Sequence, residues 1–193
     1  MMLRVVSMRR LCLLALAVVA FAAAANAQQP PVGNWQPGKY RGLVTGKSTT
    51  DDVIRVLGLP SWQGKPQEVP DVPGEEEWSY TIATPQGECC DLFFKNTLLE
   101  SITLRLNSMM AGEAQQFFGR GFVAVRFSTY DDGSETGSGP ICEDPKGDFT
   151  LLVNPRKGIS LWSDERGIVK EAVYSDTRPG NGKCDTKNMK PSK

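Results

Sequence analysis

Trp78, Tyr80 and Ile82 alternate with Ser79 and Thr81, and a period of two dries one face of a strand but leaves no apolar stripe on a helix. The same period returns in Cys90, Leu92 and Phe94. After a turn at Lys95-Asn96-Thr97 it returns again in Ile102, Leu104 and Leu106, set against Ser101, Thr103 and Arg105. Three antiparallel strands with one dry face need a cover. The segment STTDDVIRVLGLP from Ser48 supplies it: a Ser-x-x-Asp capping pattern, acids in the first turn, and Val53, Ile54, Val56 and Leu57 along one side, with Gly58 and Pro60 as the stop. Gly58 is expected in a left-handed conformation.

The second half follows the same plan. MMAGEAQQFF (Met109 to Phe118) reads as a short helix, and Val123, Val125 and Phe127 mark a strand. Phe149, Leu151 and Val153 alternate, Ile159 and Leu161 follow Gly158, and Val169 and Val173 mark a last strand. Sliding the first block by 71 residues sets Trp78 on Phe149, Gly87 on Gly158, Glu100 on Glu171 and Ile102 on Val173 without a gap. The expected fold class is therefore α+β: two helix-plus-antiparallel-meander units, with short helices packed on one face of antiparallel sheet that can join into one larger sheet. The units span residues 40–106 and 107–176, after a leader at 28–39 and before a basic tail at 177–193. The acidic, Gly/Ser-rich stretch 129–148 is too long for a mere connector.

Residues 1–27 read as a cleavable signal peptide. Arg4, Arg9 and Arg10 precede an apolar run from Leu11 to Ala25, and Ala25-Asn26-Ala27 is an A-x-A site. The run is shorter than the roughly 20 residues a bilayer-spanning helix needs, so no transmembrane segment is expected after signal removal. Loss of those arginines leaves 19 basic against 22 acidic residues, a net charge of −3, which argues against nucleic acid as a partner. The expected location is extracytoplasmic, periplasmic or secreted. Cys89, Cys90, Cys142 and Cys184 then face an oxidising compartment as candidate disulfide cysteines. Strand geometry sends adjacent side chains to opposite faces, so each of Cys89 and Cys90 is expected to reach a distant partner. Both pairings stay open: 89–142 with 90–184, or 89–184 with 90–142.

The chain has no histidine, which removes the commonest general base and metal ligand together. Asp51-Asp52, Glu75-Glu76-Glu77 and Asp131-Asp132 are its carboxylate clusters; the first belongs to a helix N-terminus and the others to polar loops. No phosphate loop, dinucleotide fingerprint or zinc spacing occurs, and no cofactor, metal or catalytic residue is assigned. The alternative is a secreted enzyme, or a thiol or metal-binding protein, built on carboxylates or on the Cys89-Cys90 pair.

LVTGKSTTDDVIRVLGLPSW, the W-x-Y strand at Trp78 and Tyr80, and DLFFKNTLLESITL together resemble the SmpA/OmlA (BamE-type) outer-membrane assembly lipoproteins over residues 43 to 106. Gly46, Val53, Leu57, Gly58, Pro60, Trp78, Tyr80, Phe94 and Ile102 carry the resemblance, all at turn, cap or core positions. Tandem copies of such a unit resemble the β-lactamase-inhibitor-protein fold, whose concave sheet binds other proteins. This chain departs from the lipoprotein pattern in lacking a lipid-attachment cysteine at the cleavage site and in carrying a second unit and extra cysteines. The resemblance implies a non-enzymatic protein-binding or scaffolding module of the cell envelope, with an unidentified protein partner. The candidate contact surface is the sheet face away from the helices: Ser79, Thr81, Ser101, Thr103 and Arg105 in the first unit, Ser160 and Trp162 in the second. Ser and Thr also suit a plain wet strand face. Trp78 is expected in the core.

Overall fold

A computed structural model of the chain describes residues 34–64, 74–85, 87–129, 141–164 and 166–180. The signal segment, most of the leader, Asp131-Asp132, the middle of the acidic stretch, Cys184 and the tail past Gly180 lie outside the described residues. The elements run β1 Lys39–Tyr40, β2 Leu43–Val44, α1 Thr50–Leu57, β3 Trp62–Gly64, β4 Glu75–Thr84, β5 Gly87–Lys95 and β6 Leu98–Met110. Then come α2 Ala111–Phe118, β7 Val123–Thr129, β8 Ile141–Glu143, β9 Phe149–Asn154, β10 Ile159–Ser163 and β11 Ile168–Ser175. Strands β3 to β11 form one nine-stranded antiparallel sheet in the order β3-β4-β5-β6-β11-β10-β9-β7-β8. From one edge the strands follow chain order from β3 to β6; at the other, β8 lies outside β7, then β9, β10 and β11 follow, and β11 pairs with β6.

The architecture is mostly β, which corrects the α+β expectation. Of the described residues 55% lie in strands and 13% in helices, and there are no separate helix-plus-sheet units. The physical reason is that the second half is dry on both sheet faces. Paired residues share a face, so Trp78, Leu92, Ile102, Tyr174, Ile159 and Asn154 form one row. This row lies on the helix face, where Val53 of α1 and Ala114 and Phe118 of α2 join the main core. The next row, Ser79, Asp91, Thr103, Val173, Ser160 and Val153, lies on the far face. Val125, Phe127, Leu151 and Val153 there form a second buried cluster with Trp35, Phe149 and Trp162 packed against it. The 71-residue offset therefore sets Trp78 and Ile102, on the helix face, against Phe149 and Val173, on the far face. A one-residue slip moves a strand's whole apolar set to the other side.

Thr49 caps α1: its hydroxyl accepts from Asp52 N–H at 3.3 Å and the Asp52 carboxylate accepts from Thr49 N–H at 3.0 Å. That backbone hydrogen bond from Thr49, before any other influence, holds the Asp52 carboxyl below its usual range. The cap thus starts one residue later than the Ser48 pattern suggests. α2 is also shorter than the sequence suggests, because Met109 and Met110 extend β6 and pair with β11. Asn96 and Thr97 make the expected tight turn, both at positive φ.

Gly58 ends α1 at φ 85°, ψ −165°, so it is not left-handed helical as expected but in a region essentially restricted to glycine. A Cβ there would meet nothing within 4 Å, so a substitution tests the backbone alone. Gly58→Val is expected to cost about 2 kcal/mol and to lower Tm by about 5 °C in a thermal melt. An unchanged Tm would contradict this helix end. The Gly58 carbonyl accepts from the Tyr80 hydroxyl at 3.0 Å, tying the helix end to the sheet. Burial pushes that phenol up to about 12, so it stays a donor.

Candidate functional site

The far face differs between its halves. Over β7, β9 and β10 it is closed: Phe127 and Phe149 stack at 5.9 Å, Phe149 and Trp162 at 6.0 Å, and Trp35 packs against the same cluster while its indole N–H donates to the Ser175 carbonyl. The Arg178–Glu143 ion pair holds the chain beyond β11 against β8. Ser160 is buried and has no surface to offer a partner. Trp162 is half-buried, its Nε1 fully buried and without an acceptor among the described groups. The two second-unit residues expected on a free surface thus belong to a second core. The signal lay in Leu151-Leu152-Val153 and Ile159-Ser160-Leu161-Trp162, where near-continuous apolar runs replace alternation, as in strands buried on both sides.

Over β3, β4, β5 and β6 the far face is open among the described residues. Ser79, Ser101 and Thr103 are half-buried there, and Arg105 and Thr81 exposed. Ser79, Ser101, Thr103 and Arg105 share this face, and Thr81 does not join them. Asp91, one strand over, is their hub: its Oδ1 accepts from Ser79 Oγ at 2.7 Å and from Arg105 Nη2 at 2.9 Å. Arg105 is also paired in register with Glu88 and Glu171. Thr81 stands apart at an irregularity of β4, its N–H donating to Ser61 Oγ at 3.1 Å.

Three residues that the alternation reading did not single out complete this surface. Trp62, opposite Ser79, is 49% exposed, and its ring lies over Gly64, where a Cβ would meet it at 2.5 Å. Phe93, opposite Glu77 and Ser101, is 40% exposed. Adjacent phenylalanines in a strand cannot both enter one core, so Phe94 inside forces Phe93 out, a sign readable in the sequence. β3 is only three residues long, too short for a period to mark it. Glu77 is the third. Burial first, then the nearby Asp91 carboxylate, push its carboxyl above the usual range, and Arg105 offsets this only in part.

A carboxyl raised in the folded state loses stability as pH rises from its unfolded to its folded pKa. Glu77→Gln is therefore expected to raise Tm at pH 7, with the gain vanishing below about pH 4, where the wild-type side chain is protonated in both states. Paired melts at the two pH values check this; a Tm lowered at pH 7 would show that Glu77 contributes a favourable contact.

The cysteines depart from the expected cross-pairing. Cys89 and Cys90 are both fully buried and bonded to each other, through a cis peptide. The physical reason is local irregularity: Glu88 pairs with Arg105 and Asp91 with Thr103, so the two cysteines together face the single residue Leu104 and do not alternate across the sheet. Cys142 is disulfide-bonded as well. Two carboxylate clusters lie among the described residues: Asp52 caps α1, and Glu75-Glu76-Glu77 begins β4 and not a polar loop, with Glu75 paired to Lys95 at 3.8 Å and Glu76 accepting from the Trp78 indole at 3.2 Å. Among the described residues no three metal-ligating side chains converge, and no helix is long and apolar enough to cross a membrane. No protein-family model matches the chain, and no curated protein or solved structure matches it either.

Proposed function

We propose that this chain is an exported, non-enzymatic protein-binding or scaffolding module of the cell envelope that engages its partner through the open half of the far face. The observation behind this reading is the pair of exposed aromatic rings, Trp62 and Phe93, flanking the fixed Ser79-Asp91-Arg105 network on a rigid sheet. Tryptophan and arginine dominate binding hot spots, and a strand surface presents them without a backbone-ordering cost. Export rests on residues 1–27, and the cell-envelope setting on the SmpA/OmlA resemblance of residues 43–106.

The test is capture from envelope extracts with mature wild-type protein and with Arg105→Glu and Val56→Ala as baits. A partner retained by wild type and Val56→Ala but lost by Arg105→Glu is the expected result. Retention by all three baits would move the recognition surface elsewhere. The mass of the secreted protein should begin at Gln28; an uncleaved chain would contradict the export reading.

A further inference from the structure

On the helix side, a cleft of about 530 Å³ opens between the segment before β1, the turn after β2, α2 and the β9–β10 turn. Rings and aliphatic side chains form one part of its lining, and the greater part of its exposed surface is polar. Phe117 is 52% exposed on α2, its ring edge-on to Phe118 at 4.9 Å, and Tyr174 and Ile159 of the sheet close the base. Its rim is cationic: Lys39, Lys47, Arg156 and Lys157 line it, and among the described residues no carboxylate does. Lys157 has a structural duty, donating to the Phe118 carbonyl at 2.5 Å where α2 ends. Lys39, Lys47 and Arg156 are exposed and make no ion pair among the described residues.

Cations gathered around one concavity repel each other, in a mature chain whose net charge is negative. Such an arrangement gains most from an anion, and the exposed Phe117 ring gains from an apolar body. The volume lies in the range of pockets that take small molecules. The geometry points to a binding site for a single small anionic amphiphile, a carboxylate, sulfonate or phosphate on an apolar or aromatic body. This site is separate from the open sheet face and does not depend on the function proposed for it.

The test uses 8-anilinonaphthalene-1-sulfonate as probe on the folded mature protein. Saturable fluorescence enhancement is expected, displaced by laurate but not by inorganic phosphate at the same concentration, because the phosphate lacks the apolar body. N-phenyl-1-naphthylamine, the uncharged counterpart, should bind at least about tenfold more weakly. The double variant Lys39→Glu, Arg156→Glu should weaken the sulfonate about tenfold or more, and Phe117→Ala should weaken both probes, with Tm unchanged because all three side chains are exposed. Displacement by monomeric laurate and not by vesicles of anionic phospholipid supports a cleft that takes one molecule; displacement by vesicles alone overturns it. Absence of saturable binding, or equal affinity in wild type and both variants, overturns it too.

Discussion

Gly158→Ala should cost about 3 kcal/mol or more and lower Tm by about 10 °C. Gly158 sits at φ 61° in the β9–β10 turn, and a Cβ there would lie 2.2 Å from the Gln36 carbonyl oxygen and 2.4 Å from Gly38 N. Backbone atoms cannot swing aside as a side chain can. The segment 36–38 would have to move, and hydrogen bonds hold it: Gln36 N–H to Pro155 O, Gly38 N–H to Ser175 O, Thr45 N–H to Gly38 O, and Gly38 N–H to the Thr45 hydroxyl. Moving it also loosens Trp35, which packs against the second core. Gly167→Ala is the control: its φ of 76° carries a similar backbone penalty, but its Cβ would meet nothing within 4 Å. Thermal melts of both should separate them clearly. Equal losses would mean that segment 36–38 does not press on the turn.

The double variant Trp62→Ala, Phe93→Ala should weaken the captured partner about 100-fold or more, measured by calorimetry or surface capture with the purified pair. Both rings are partly exposed, and each truncation removes contact area a partner would bury without opening a cavity in the main core. Stability should therefore fall far less than for truncation of a buried ring such as Phe94, where about 3–5 kcal/mol is usual. Trp162→Ala provides the contrast. Its ring packs against the second cluster and stacks on Phe149, so it should destabilise the fold with little specific loss of binding. The opposite outcome, with Trp162 controlling affinity and the Trp62 and Phe93 rings silent, would return the surface to the second half.

The strands were legible wherever one face is dry and the other wet. Trp78, Tyr80 and Ile82, then Cys90, Leu92 and Phe94, then Ile102 and Leu104 all lie in the main core or pack against it, as their alternation implies. The helix over Thr50–Leu57 was legible from its acids and its stop signal, and Trp78 is 3% exposed. Alternation reports that a strand has two unlike faces but not which face meets which cover. Phe149, Leu151 and Val153 alternate as well as Trp78, Tyr80 and Ile82 do, yet dry the opposite side of the same sheet. Ser160 was misplaced for that reason: a serine between Ile159 and Leu161 reads as solvent-facing until the far face is known to be covered. Alternation places Ser79, Ser101, Thr103 and Arg105 on the face opposite the main core, but their arrangement around Asp91 was not legible, because cross-strand register fixes it and no local pattern encodes register. The Cys89–Cys90 bond escaped for a similar reason. It depends on an irregularity in the pairing of β5 with β6, where strict alternation fails.

Photo-crosslinking on the intact chain, in the cells that make it, tests the proposed recognition surface most directly. A benzophenone side chain placed singly at Phe93 or Thr103 samples the open half of the far face, and at Leu59, 80% exposed, or Val56 it samples the region of α1. Irradiation should give one discrete higher-mass protein adduct from Phe93 and Thr103 and none from Leu59 or Val56. Adducts confined to Leu59 and Val56, with Phe93 and Thr103 unreacted, would contradict the account.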